Sequence, residues 1–210
     1  GNHDYYFGNI AEIRSNMIKL CEETDLLFWL NHYEPIFFDK SICLIGIDGW
    51  ADGRHGNFIK TPVRINDSRL IKDLFHESIL GRHALLEKMQ SLADDDAKLL
   101  EQKLMKALKE DPKHCIIVTH IPPFKETALH LGQISNDDYL PFFASKATGD
   151  ILNSFANQYP KVNFFVYCGH THDFCEYRPL NNLTVFVGKA EYYQPTYQKV
   201  VDTTSLPQVS

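Results

Sequence analysis

Two rhythms of apolar and polar positions run along the chain. Asn9 precedes Ile10, Ile13, Met17 and Leu20, a spacing that gathers the apolar side chains on one helix face. Glu12, three residues after Asn9, completes a capping-box pattern, so a helix is predicted over 10–23. Leu26 to Leu30 and Ile36 to Phe38 read as strands about a turn at Asn31 to Pro35, and Ser41 to Asp48 as a third strand ending at Gly49. Helical spacing returns from Asp67 to Leu80, with Leu70, Leu74 and Phe75 inward. A second helical region carries Leu86, Met89, Ala93, Ala97, Leu100, Leu104 and Leu108 as its stripe, interrupted by Asp94-Asp95-Asp96. Consecutive helix positions fan out by about 100° each, so these carboxylates cannot converge on one ion. They read as a solvated face, or as the first turn of a new helix where acids complement the dipole.

Beyond Pro112 the pattern shortens. Cys115 to Val118 is strand-like and leads into Thr119-His120, and Pro122 to Pro141 is a long connection with Lys125, His130 and Asp137-Asp138. Connections of that length commonly wall or cover a site. Ala144 to Gln158 reads as a helix with Ile151, Leu152 and Phe155 inward, and Phe174 to Arg178 with Leu183 to Val187 as a hairpin turning at Asn181-Asn182. Between them stands Val162 to Asp173, Val-Asn-Phe-Phe-Val-Tyr-Cys-Gly-His-Thr-His-Asp. So apolar a run suits a strand covered on both faces. Gly169 then turns the chain, so that His170 and His172 converge beyond the strand's carboxyl end, where open α/β sheets place ligands. Neutral imidazole is the commonest metal ligand. The bland alternative is a His-Thr-His accident in a surface loop.

Composition narrows the field. The 210 residues suffice for one sizeable domain, and 44% hydrophobic with 23% charged residues is ordinary for a globular chain. No apolar run is long enough to span a bilayer. A formal net charge of −6 without a basic stripe argues against a long nucleic acid as partner. Five cysteines with no C-x-x-C pair do not form a disulfide or zinc framework, and Cys43, Cys115 and Cys168 sit in apolar runs as small hydrophobes, which points to a cytoplasmic setting.

Three segments bear directly on chemistry: Gly1-Asn2-His3-Asp4 at the start, His120 after a strand-like run, and Gly169-His170-Thr171-His172. In that order they resemble the last three of five motifs of the calcineurin-like metallophosphoesterase family. The first two motifs, Asp-x-His and Gly-Asp-x-x-Asp, are absent from the chain. The resemblance implies an α/β fold, a four-layer α/β/β/α sandwich, here one domain over 1–210 lacking its N-terminal strands. It implies hydrolysis of a small phosphomonoester or phosphodiester at two divalent metal ions (Mn, Fe, Ni or Zn). Asn2, His120 and His170 would bind one ion and His172 the other. His3 would contact the phosphate or protonate the leaving group, with Asp4 orienting its ring. The loop Gly49-Trp50-Ala51-Asp52-Gly53-Arg54-His55-Gly56 is similar to a Gly-Trp loop in that family; Trp50, Asp52, Arg54 and His55 from it, with His130, are candidates for substrate contacts.

The four ligands are all neutral, and two dications about 4 Å apart need a bridging carboxylate. Metal binding by this chain alone is therefore expected to be weak, and hydrolysis slight. Sub-micromolar binding of two Mn²⁺ ions would contradict that. The competing class is a protein-binding scaffold on the same fold with a vestigial site. The lost strands would also leave a sheet edge exposed, so self-association through it is expected.

Overall fold

The computed structural model describes residues 1–198 and 200–206. Helix α1 spans Ile10–Glu22, and the Asn9 side chain accepts hydrogen bonds from the backbone N–H groups of Ala11 and Glu12, as the capping pattern requires. Strands β1 (Ile36–Asp39) and β2 (Ile42–Gly46) follow, then helices α2 (Asp67–Leu70), α3 (Lys72–Leu80) and α4 (Arg82–Ala107). Next come β3 (His114–Val118), a small ribbon of β4 (Leu129–His130) and β5 (Gln133–Ile134), and helices α5 (Leu140–Phe143) and α6 (Lys146–Gln158). Strands β6 (Asn163–Cys168), β7 (Cys175–Leu180) and β8 (Leu183–Val187) complete the fold.

Six strands form one sheet in the order β1-β2-β3-β6-β8-β7. The four inner strands are parallel, and β1 and β7 flank them antiparallel. Cys43, Cys115, Phe164 and Leu183 stand level across the sheet, followed by Ile45, Ile117, Val166 and Val185. These two rows point to one face, where Leu100 and Leu104 of α4 and Leu152 and Phe155 of α6 cover them in the main core. Residues between them in sequence point the other way. On that face Ile42, Ile116 and Phe165 are buried but belong to none of the buried apolar clusters. Both edge strands carry a register irregularity, a feature that discourages pairing with another chain.

The expected elements stand with four corrections. Leu26 to Leu30 is not a strand; Leu26 is 91% exposed, while Trp29 donates its indole N–H to Asp48 and Leu30 packs against Gly46. The helix expected over Asp67 to Leu80 is broken at Ile71, which takes extended angles (φ −94°, ψ 117°). Phe75, expected inward, is 44% exposed. The Asp94–Asp96 run neither starts a new helix nor faces solvent throughout, because α4 passes through it unbroken. Asp94 pairs with Arg54, whereas Asp96 is 2% exposed and accepts a hydrogen bond from Gly49 N–H at 2.7 Å.

That last contact belongs to a buried charge network beside the strand ends. Asp48 accepts from Arg14 Nε (3.0 Å) and Nη2 (2.7 Å), Tyr5 Oη (2.6 Å), Trp29 Nε1 (3.2 Å) and Asn31 Nδ2 (3.1 Å). Lys103 is 4% exposed and donates to the carbonyls of Leu30, Asn31 and Gly46. Tyr5 and the Asp48 network thereby anchor the first turn of the chain at the carboxyl end of β2. Phe7 N–H to Leu70 O (2.6 Å) and Lys72 N–H to Gly8 O (3.0 Å) fasten the same segment to α2 and α3.

Candidate functional site

Three strand-end and terminal segments meet above the carboxyl ends of the parallel strands. His120 lies just after β3, where Gly169 N–H donates to its carbonyl at 3.0 Å. Gly49 presses on the same place. Its φ is +82°, and a side-chain carbon there would lie 2.3 Å from Thr119 Oγ1 and 2.6 Å from the His120 nitrogen, so only glycine lets the loop after β2 approach so closely. After β6, His170 and His172 adopt left-handed backbone angles (φ 68° and 64°), the sharp turn that swings both rings toward the cleft. Asn2 arrives from the 3-10 turn Asn2–Tyr5 and is 8% exposed.

The geometry at the centre is tight. His120 Nε2 lies 2.7 Å from Asn2 Oδ1 and 3.3 Å from His170 Nδ1. Asn2 Nδ2 donates to Asp67 Oδ1 at 2.7 Å, and that donation fixes the amide so that its oxygen faces His120. His170 Nε2 lies 3.1 Å from the Phe142 carbonyl, which only accepts, so this nitrogen carries the ring proton and Nδ1 is left bare. Asn2 Oδ1 and His170 Nδ1 are both acceptors, and the Nε2 proton of His120 lies between them. One donor and two acceptors thus share a single proton.

Electrostatics keep the pair uncharged. Burial drives the His120 ring well below the ordinary histidine range, and the neighbouring His170 adds to it. Burial likewise lowers His170, opposed in part by the Asp67 carboxylate and the Phe142 carbonyl. Neutral imidazole is the metal-binding form. The Tyr6 hydroxyl also donates to Asp67 Oδ1 (2.8 Å), and burial with that carboxylate raises the phenol so that it stays a donor.

The site opens into a cleft of about 700 Å³ whose lining includes Asn2, His3, Asp4, His120, His170 and His172. His3 is exposed, its ring 4.5 Å from Tyr6 and stacked 6.1 Å from Tyr192. His172 meets the same Tyr192 ring edge-on at 4.7 Å. Tyr192 therefore links the two outer imidazoles across the mouth. Asp4 is exposed and lines the same cleft. Exposed Arg64 and Lys189 add positive charge to the walls.

The four candidates from the Gly-Trp loop lie elsewhere, for none of them lines this cleft. Trp50 is 5% exposed in the second core, against Tyr5 at 5.1 Å. Asp52 is fully buried, accepting from Arg54 N–H and Ala147 N–H. Arg54 is held by Asp52 and Asp94, and His55 is outside the lining. Conversely, Asp67, Tyr6 and Tyr192 escaped sequence reasoning. Asp67 read there as a helix start, and nothing local ties it to Asn2, which is 65 positions away.

Among the described residues, no three His, Cys, Asp or Glu side chains are grouped to hold a metal ion; the candidate set depends on the Asn2 amide oxygen. Two nitrogens bound tetrahedrally about 2.0–2.1 Å from one ion stand about 3.3 Å apart, which His120 Nε2 and His170 Nδ1 match. Asn2 Oδ1, at 2.7 Å from His120 Nε2, sits closer than that spacing. Asp4, Asp67 and Asp173 line the same cleft as His172. Comparison with protein-family models, with curated proteins and with solved structures found no match for this chain.

Proposed function

We propose that the cleft is a metal-dependent phosphoester hydrolysis site of the metallophosphoesterase type. The observation that carries this reading is the convergence of Asn2 Oδ1, His120 Nε2 and His170 Nδ1 on one point from widely separated parts of the chain. These residues would hold a divalent ion such as Mn²⁺, Fe²⁺, Ni²⁺ or Zn²⁺. When bound, such an ion supplies Lewis acidity toward a phosphoryl oxygen. The protein supplies the rest. Asp67 keeps the Asn2 oxygen aimed inward, the Phe142 carbonyl keeps the bare nitrogen of His170 aimed at the same point, and burial keeps both rings neutral. Exposed His3 and half-buried His172, with Arg64 and Lys189, line the open side where an anionic substrate would arrive. His3 is placed to hydrogen-bond a phosphoryl or leaving-group oxygen.

The same reading carries the four-layer α/β/β/α arrangement, in which a second sheet would lie on the sheet face bearing Ile42, Ile116 and Phe165. One observation favours the scaffold alternative: the donor set holds no carboxylate. Hydrolysis decides between them. With Mn²⁺, slight cleavage of p-nitrophenyl phosphate or its bis ester is expected, lost in His120→Ala and reduced in His3→Ala. Absence of cleavage of both esters, or equal rates in wild type and His120→Ala, favours the scaffold.

A further inference from the structure

A second hollow, of about 410 Å³, opens beside the cleft and shares Arg64 with it. Three arginines, Arg64, Arg69 and Arg82, line it, and no carboxylate does. In a chain of net charge −6 that is a marked local reversal of sign. Among the described residues the guanidinium groups of Arg64 and Arg69 have no hydrogen-bond or ion-pair partner. Arg82 donates to the Phe58 carbonyl at 2.7 Å and lies 5.9 Å above the Phe58 ring.

The wall between these cations is apolar. Phe75 and Ile79 stand one turn apart on α3, 44% and 68% exposed, and buried Phe58 and Phe142 form the floor. Helical spacing places Phe75 inward, yet no core covers it; what it faces is this hollow. Apolar side chains kept together in water beside unpaired guanidinium groups mark a binding surface rather than a packing remnant. The volume falls in the range of small-molecule sites, about 300–1,000 Å³, and is far more than one inorganic anion fills. Guanidinium forks match phosphate or carboxylate oxygens two at a time.

We infer that this hollow binds a small organic anion, with its flat apolar body on Phe58, Phe75 and Ile79 and its acidic group on Arg64 and Arg69. The inference concerns binding, and it stands or falls apart from the chemistry of the cleft. Calorimetric titration of the metal-free full chain with 1-naphthyl phosphate tests it, with 1-naphthol and inorganic phosphate as probes of each half. Naphthyl phosphate is expected to bind at least tenfold more tightly than either half. Arg69→Gln and Ile79→Asp, both surface changes whose folding is checked by circular dichroism, should each weaken it at least fivefold, while His170→Ala should not change it. The inference is overturned if both surface variants bind as wild type does. It is equally overturned if inorganic phosphate binds as tightly as the ester, or if only His170→Ala abolishes binding, which would place the ligand in the main cleft.

Discussion

Asp67 is the sharpest test of how the donor set is held. Its Oδ1 accepts from Asn2 Nδ2 at 2.7 Å and from Tyr6 Oη at 2.8 Å, in a side chain with 8% of its surface exposed. Each is a hydrogen bond to a charged acceptor, worth about 1.5–3 kcal/mol. In Asp67→Ala the half-buried Tyr6 can turn to water, but the buried Asn2 amide cannot. The expected net loss of stability is therefore about 3 kcal/mol, from one full bond and part of a second. Asp67→Asn keeps an oxygen in place and only removes the charge, for a loss of about 1–2 kcal/mol. Function follows the same order. Without Asp67 the Asn2 amide is free to turn its NH2 toward His120, where two donors would face each other. Loss of such an orienting partner costs about 10–100-fold in metal affinity, or about 1.4–2.7 kcal/mol. Urea unfolding and Zn²⁺ calorimetry on Asp67→Ala, Asp67→Asn and Tyr6→Phe measure both effects. Tyr6→Phe keeps the Asn2–Asp67 bond and, of the contacts Asn2 makes, removes only the long 3.5 Å one from Asn2 Nδ2 to Tyr6 Oη, so it should bind Zn²⁺ within about threefold of wild type. A folded Asp67→Ala that binds Zn²⁺ as tightly as wild type would refute the assignment of Asn2 as a donor.

Other predictions follow from the strand ends and the buried charges. Gly49→Ala puts a carbon 2.3 Å from Thr119 Oγ1 at a positive φ, so a loss of at least about 2 kcal/mol in urea unfolding is expected, with weaker Zn²⁺ binding because His120 must shift. Arg14→Ala removes two of the five donors to Asp48 and should cost about 3 kcal/mol by the same measurement. Burial, aided by the Asp48 charge, raises the Asp96 carboxyl to about 7. The folded state then holds a proton that the unfolded state releases, so this group's contribution to stability falls as pH rises from about 4 to about 7. Asp96→Asn removes that dependence, and its stability relative to wild type should increase across that window; a difference that stays flat with pH would contradict the burial argument.

Much of the frame could be read in the residues because it rests on local rules. Asn9 capping α1, the alternation that buries Cys43 and Ile45, and the apolar run ending at Gly169 each act within a few positions. The gathering of Asn2, His120 and His170 was legible only through motif order, and the geometry agrees with it. What stayed hidden depends on partners far along the chain. Leu26 to Leu30 has the composition of a strand, but Trp29 is drawn to Asp48 instead. The Asp94–Asp96 run looks uniformly acidic, yet a helix turns Asp96 toward Gly49 and Asp94 toward Arg54. The Gly-Trp loop suggested substrate contacts, whereas its Trp50 packs in the second core and its Asp52 accepts from Arg54 and Ala147.

The left-handed angles at His170 and His172 set comfort against purpose. A non-glycine residue at each such position costs about 1–3 kcal/mol. Glycine at either would relax the loop and let it wander, so the sturdier protein would be the one that had lost an imidazole. Selection for thermal endurance alone would erode these two positions first, and their survival in a hardened variant would signal that the cleft is still in use.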